Sequence, residues 1–203
     1  MLKVLNLYAG VGGNRKLWPN DKIEVTAVEI NPSIAAVYKD FYPNDNVIVG
    51  DAHQYLLDHY KEFDFIWASP PCQTHSRLRT MGVYTGQYEA IYPDMKLYQE
   101  ILLLKFYAKC NWVVENVIPF YKPLIQPSFT IQRHNYWSNK FIFAANFEND
   151  DINKSTIDQM QKKLGINLSK YKFDGSDRRQ ILRNCVKPEL GLYVFEQITG
   201  VKS

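Results

Sequence analysis

The sequence predicts an α/β fold, a doubly wound and mostly parallel sheet with helices on both faces. Two observations carry that expectation. Short apolar runs alternate with stretches of helical spacing from Val4 to Val114. Most of the runs end at a glycine turn, an acid or a proline pair. Sheets of this kind bind ligands outside the carboxyl ends of their strands, so the stop points are also where function is expected.

Taken in order, Val4–Tyr8 reads as a buried strand that ends at Gly10-Val11-Gly12-Gly13. Ile23–Glu29 is a second strand. Asn31-Pro32 then opens a helix over Ser33–Phe41, with Pro32 suited to a first helical position because its missing N–H is not needed there. Asn46–Val49 is a third strand, followed by Asp51 and a helical Ala52–Tyr60. Phe63–Ala68 is a fourth, stopped by Pro70-Pro71. A polar stretch from Gln73 to Pro93 leads to a helix over Met95–Tyr107 and a fifth strand at Asn111–Val114. Beyond Pro119 the pattern weakens. Asn135–Phe143 has strand character, Phe147–Gly175 is polar and irregular, and Pro188–Ile198 is a final apolar-striped helix.

The 203 residues suit one domain with a small appendage. With 46% hydrophobic and 22% charged residues, the chain is neither disordered nor fibrous. No apolar run approaches the roughly 20 residues that span a bilayer. No membrane association and no cleavable signal peptide are expected. Three cysteines, Cys72, Cys110 and Cys185, are too few and too scattered for a disulfide framework or a zinc site, so a reducing, cytoplasmic setting is expected and no metal. The net charge of +3 is unevenly spread. Residues 154–187 hold nine Lys/Arg against Asp158, Asp174 and Asp177, a local +6, which leaves −3 for the rest. Such a run is either a solvated face or an attraction for a polyanion.

Several positions carry candidate chemistry. The glycine turn lets backbone approach a ligand without a Cβ in the way. Glu29 could accept both hydroxyls of a ribose and Asp51 an adenine amino group. No P-loop Lys-Ser/Thr is present, so a nucleoside without a triphosphate fits better than a nucleotide. The alternative is an ordinary turn. In Ser69-Pro70-Pro71-Cys72-Gln73, two prolines stiffen the chain past a strand and present an exposed thiol, a nucleophile if its pKa is lowered. A small buried residue is the plainer reading of an isolated cysteine. Glu115 ends the apolar Trp112-Val113-Val114, where desolvation favours the protonated acid and suits donation to a ring nitrogen. An N-cap or a surface ion pair is the alternative.

Together these segments resemble the DNA cytosine-5 methyltransferases. The pieces stand in that family's order: Leu7-Tyr8-Ala9-Gly10-Val11-Gly12-Gly13, Glu29, Asp51, Ser69-Pro70-Pro71-Cys72-Gln73, Glu115-Asn116-Val117, and a final Arg183-Asn184-Cys185-Val186 like the family's Gly-Asn-Ser-Val. The resemblance covers about residues 1–145 and 178–200. It implies the Rossmann-like fold of S-adenosylmethionine-dependent methyltransferases, with a catalytic domain over 1–146, a reduced target-recognition segment over 147–177 and a C-terminal segment over 178–203 that packs back. A small phage or prophage member is the best description, placing the protein in the cytoplasm of a bacterial cell or phage-infected host, with restriction-modification as the expected setting.

On that resemblance Cys72 adds to C6 of a cytosine flipped out of double-stranded DNA, and Glu115 assists at N3. Asn116 braces the backbone around Cys72, and Arg133 contacts the cytosine O2. S-adenosylmethionine is the cofactor. Leu7, Ala9, Gly10, Gly12 and Gly13 line its methionine side, Glu29 and Ile30 its ribose and adenine, and Asp51 and Ala52 the adenine edge. Pro70, Leu97, Asn184 and Val186 complete the pocket. Gln73, Ser76, Arg77 and Arg79 lie on a mobile loop that contacts DNA. Two departures stand out. The family's Gln-x-Arg-x-Arg is reduced to Gln132-Arg133-His134-Asn135-Tyr136, and the recognition domain is about a fifth of a typical ~150 residues. A short target or a partner protein supplying specificity follows. Two alternatives share these residues: methylation of RNA of the transfer-RNA type, and a catalytically silent binding subunit.

Overall fold

A computed structural model of the chain describes residues 1–143, 145, 147, 155–173, 175 and 177–202. Five strands run parallel: β1 (Leu2–Leu7), β2 (Ile23–Glu29), β3 (Asn46–Val49), β4 (Phe65–Ala68) and β5 (Asn111–Val117). Two more, β6 (Phe129–Ile131) and β7 (His134–Ser138), close the far edge antiparallel, giving the order β3-β2-β1-β4-β5-β7-β6. The expected doubly wound, mostly parallel sheet is present.

Helices cover both faces, which is why the central strands are apolar throughout rather than alternating with polar residues. Successive residues of each strand point to opposite sides. Val4, Val25, Phe65, Trp67 and Val113 pack on one face with Trp18 and with Leu190, Val194, Phe195 and Ile198 of the last helix. Leu5, Leu7, Val28, Ile66, Ala68 and Val114 pack on the other face. There they meet Leu56 of the helix Ala52–His59 and Leu97, Tyr98, Ile101 and Leu104 of the helix Lys96–Tyr107.

In chain order the helices are α1 (Pro32–Phe41), α2 (Ala52–His59), α3 (Arg77–Tyr84), α4 (Lys96–Tyr107), α5 (Ile157–Leu164), α6 (Arg178–Asn184) and α7 (Pro188–Thr199). The first two begin as the sequence dictates. Asn31 caps α1 by accepting from the amides of Ser33 and Ile34, with Pro32 at the first position. Asp51 caps α2 through the amides of His53 and Gln54.

β1 spans Leu2–Leu7 instead of Val4–Tyr8 and β4 starts at Phe65 instead of Phe63, and the larger differences lie beyond β4. β5 runs on to Val117, because β7 pairs with it and satisfies the backbone of Glu115 and Asn116. β7 ends at Ser138 instead of continuing to Phe143. The polar stretch after Gln73 contains α3, and the stretch after Phe147 contains α5. The α5 signal is a capping box: Thr156 accepts from the amide of Gln159 while Gln159 accepts from that of Thr156. Its Met160 and Leu164 bury against Val11 and Val37, beside the glycine turn and α1. Lys16 caps the other end, donating to the carbonyls of Leu164 and Gly165. Of the proposed recognition segment, residues 148–154, 174 and 176 lie outside the described residues. Among the described residues no helix is long and apolar enough to cross a membrane.

One buried ion pair locks the glycine-turn segment to the entry of β3. Arg15 donates to both carboxylate oxygens of Asp45 at 3.0 Å, and Tyr38 donates to Asp45 at 2.9 Å. The remaining Arg15 donors reach the Trp18 carbonyl and Asn20. Removing one partner strands a buried charge. Asp45→Asn is therefore expected to cost about 3 kcal/mol of stability, read by urea denaturation. A loss below about 1 kcal/mol would show the pair to be solvated.

Candidate active site

The parallel register brings the functional positions to one edge. Leu7 pairs with Val28 and with Ala68, Ala68 with Val114, and Glu29 with Val49. The residues just past these pairs are Tyr8, Ser69, Glu115 and Gly50. Along that edge, in strand order, lie Asp51, Glu29, the glycine turn, Cys72 and Glu115.

The turn is a cradle held from below. Glu29, buried, accepts from the amide of Gly10 at 3.0 Å and from that of Asn31 at 2.9 Å, one on each oxygen. Each oxygen keeps a lone pair for another donor. Gly10 has φ +55, and the space a Cβ would fill is open. Gly13 serves packing instead: a Cβ there would lie 2.6 Å from the Val186 carbonyl oxygen. The segment Arg183-Asn184-Cys185-Val186 thus folds back onto the turn.

Around this cradle the remaining positions fall unevenly. Ile30 is 67% exposed, an apolar side chain at the rim, whereas Leu7, Ala9, Ala52, Pro70 and Leu97 are buried. Leu7 is wholly enclosed, so it offers a ligand backbone rather than side chain. Asp51 divides its carboxylate between the α2 amides and Lys96 at 3.4 Å. Val186 is nearly buried and Asn184 exposed.

At the chemical end, Asn116 donates to the Pro70 carbonyl at 2.8 Å, tying β5 to the proline pair that carries Cys72. The thiol departs from expectation. Cys72 is only partly exposed, and its pKa is pushed up to about 11 by burial and then by the Glu115 charge, against the pull of Arg133 and Arg183. A neutral thiol is its resting form. Both guanidinium groups therefore bear on Cys72, and Arg133 also reaches the Arg183 carbonyl at 3.4 Å. Beside Glu115 stands His134, with Nε2 3.6 Å from Oε1. Burial holds this imidazole below its usual range, with Glu115 opposing and Arg133 adding to the shift.

The loop after Cys72 is more ordered than its composition suggests. Ser76 caps α3 and bridges to Pro119, whose carbonyl accepts from Arg77 at 3.2 Å. Arg79 donates to the Glu89 carbonyl and lies over the Tyr88 ring. His75 is buried, its amide on the Cys72 carbonyl and its Nδ1 2.6 Å from the Tyr121 hydroxyl. Gln73 is exposed. Ser76, Arg77 and Arg79 all have partners inside the protein, so any phosphate must compete with these.

Sequence reasoning missed several neighbours. Tyr8 adopts φ +56 and donates to Glu100, a buried carboxylate on α4 that also lies 3.0 Å from His53 Nδ1. The Tyr8 pKa is raised by burial and by Glu100, Asp51 and Asp94. A glutamate within the apolar stripe of α4 was the available signal for Glu100; Arg183 and His134 had none. The basic run 154–187 is partly consumed internally. Lys170 pairs with Asp40 at 2.9 Å, and Arg178 donates to the Tyr171 carbonyl at 3.0 Å; Lys154 is outside the described residues.

Comparison with known proteins finds partial matches. The family model for C-5 cytosine-specific DNA methylase matches residues 2–95. A tRNA (cytosine(38)-C(5))-methyltransferase of Spodoptera frugiperda is 35% identical over 80 residues, which are 37% of this chain and 24% of that protein. The Homo sapiens enzyme of the same description is 33% identical over 89 residues, 41% of this chain and 23% of that protein. The matches thus span about a quarter of these relatives' length. Among solved structures, a mutant of Spodoptera frugiperda DNMT2 covers 58% of this chain and 36% of its own, at 26% identity and a TM-score of 0.41. A SAM-dependent methyltransferase from Agrobacterium tumefaciens covers 57% and 38%, at 18% identity and a TM-score of 0.42.

Proposed function

We propose that this chain is a cytosine-5 methyltransferase that methylates C5 of a cytosine flipped out of DNA, a reading supported by the match of residues 2–95 to the C-5 cytosine-specific DNA methylase model. The observation that carries this reading is the meeting of Cys72 and Glu115 at neighbouring strand ends, close enough that the Glu115 charge raises the thiol. C5 of cytosine is a weak nucleophile until a thiolate adds to C6. Cys72 gives its proton to the ionised Glu115, its Sγ bonds to C6, and Glu115 passes that proton to N3 as the ring electrons move toward C5. Arg133 and Arg183 favour the thiolate that burial and the Glu115 charge disfavour. S-adenosylmethionine, when bound, supplies the methyl group from a cationic sulfonium that becomes a neutral thioether. Water then takes the C5 proton. The electrons of that bond re-form the ring double bond and expel Cys72 as a thiolate, and the N3 proton returns through Glu115 to the thiol.

The cradle fits that cofactor. Glu29 has lone pairs for ribose hydroxyls, Gly10 leaves open space, and Ile30 offers an apolar rim. Glu29→Ala is expected to weaken cofactor binding by about 1.5–3 kcal/mol. Unchanged affinity by calorimetry would remove the nucleoside reading of the cradle.

A second substrate reading has its own support, because relatives at 33–35% identity are named as tRNA methyltransferases. Labelled cofactor offered with duplex DNA and with transfer RNA decides between them. Label in DNA supports the proposal, and label confined to RNA overturns it. The reduced recognition segment, a phage setting, a restriction partner and a specificity partner remain part of the proposal. Methylated sites mapped in cells expressing the chain test them together, a short or degenerate target being the expected result. A 5-fluorocytosine duplex that fails to trap Cys72 would favour a silent binding subunit.

A further inference from the structure

We propose that Glu100 is a specificity-determining residue of the cofactor cradle, its buried negative charge favouring the cationic sulfonium donor over the neutral thioether product. The inference rests on the methyltransferase reading and deepens it.

Glu100 is fully buried on α4. Its Oε1 accepts from Tyr8 and lies 3.0 Å from His53 Nδ1, so one carboxylate joins the turn after β1, the first turn of α2 and α4. Its Oε2 has no partner among the described residues. A mere tie between these elements needs an acceptor but no charge, and a glutamine would serve. Burying a carboxylate with one oxygen unpaired is costly unless a positive charge offsets it. Within the protein that offset is incomplete. His53 is the cation in contact, itself partly exposed and with its pKa raised chiefly by Glu100. Lys96 is engaged by Asp51 at 3.4 Å. Asp51 and Asp94 add further negative charge around the Tyr8 hydroxyl.

Strand order locates the charge relative to the ligand. Glu29 ends β2 and Cys72 follows β4, with β1 between them. A cofactor whose ribose meets Glu29 and whose methyl group is delivered beside Cys72 must carry its sulfur across the end of β1. Tyr8 stands there, its hydroxyl on Glu100. Donor and product differ at that sulfur by one methyl group and one positive charge. A buried anion behind Tyr8 therefore discriminates between them and relieves product inhibition.

Titration calorimetry of the purified chain with S-adenosylmethionine and S-adenosylhomocysteine separately tests this. Glu100→Gln keeps the shape and an acceptor for Tyr8 but removes the charge. It is expected to lower donor affinity roughly tenfold relative to product affinity. Equal weakening of both ligands, or no weakening, overturns the proposal and leaves Glu100 a structural tie. Should that variant fail to fold, His53→Gln at pH 6.5 removes the offsetting cation and is expected to raise the donor-to-product affinity ratio; an unchanged ratio overturns the proposal. A parent chain that binds neither ligand would overturn the methyltransferase reading as well.

Discussion

Cys72→Ala is expected to abolish methyl transfer while leaving cofactor affinity within about threefold of the parent. The thiol sits past the proline pair, and the Glu29 cradle lies two strands away, so deleting Sγ removes the bond to C6 without touching the cofactor's ribose site. The same thiol offers a test that needs no nucleic acid. With its pKa pushed up to about 11 by burial and Glu115, Cys72 is almost wholly protonated at pH 7. Its alkylation by iodoacetamide, located by mass spectrometry, should rise roughly tenfold per pH unit between pH 7 and 10. Cys185, half-buried and pushed up to about 12 by desolvation, should label more slowly still. Alkylation of Cys72 that is fast and flat across that range would mean a thiolate already present. Residual methyl transfer by Cys72→Ala would assign the nucleophile elsewhere.

The resting state of this thiol bears on how the reaction is controlled. A nucleophile kept protonated until substrate arrives is protected from oxidation and stray alkylation. What keeps it so is burial first and then Glu115, the carboxylate that engages the base on the proposed reading. Once Glu115 is occupied by N3 and an amino group, its field on Cys72 changes, while Arg133 and Arg183 continue to favour the thiolate. On the proposed reading, substrate binding thereby shifts the balance toward attack.

Much of this was legible in the chain, and the boundary has a physical cause. Glu29, Asp51 and the glycine turn follow strands whose apolar runs are covered on both faces, so local pattern alone places them at one edge. The bounds of β2 and β3 match expectation residue for residue. β5 does not, because Glu115 and Asn116 look like a terminus until β7 supplies their partners from 20 residues away. Arg183 and His134 were invisible for the same reason: each reaches the site through tertiary packing. The sequence shows one arginine in the place where the family has two, yet the folded chain sets two guanidinium charges on Cys72, one from the loop before β7 and one from α6. The capping box of α5 is written in Thr156 and Gln159, but a polar, basic composition masks its two apolar anchors, Met160 and Leu164.

Glu115→Gln is expected to separate the two roles of that carboxylate. Glutamine can hydrogen-bond to N3 but cannot deliver a proton, so methyl transfer should fall by roughly 10³-fold. The opposite change is expected at the thiol. Glu115 is the charge that raises Cys72, so its removal lowers the thiol toward its ordinary range and speeds alkylation at pH 8. His134 supplies a third reading. Glu115 is the group that counters its burial, and with the charge gone only burial and Arg133 act, both downward. Its imidazole should therefore titrate lower in the variant than in the parent when followed by NMR. General damage to the site would not produce slower transfer, a more reactive thiol and a less basic histidine together. Transfer within tenfold of the parent, or a Cys72 that labels more slowly, would show that Glu115 faces neither the base nor the thiol.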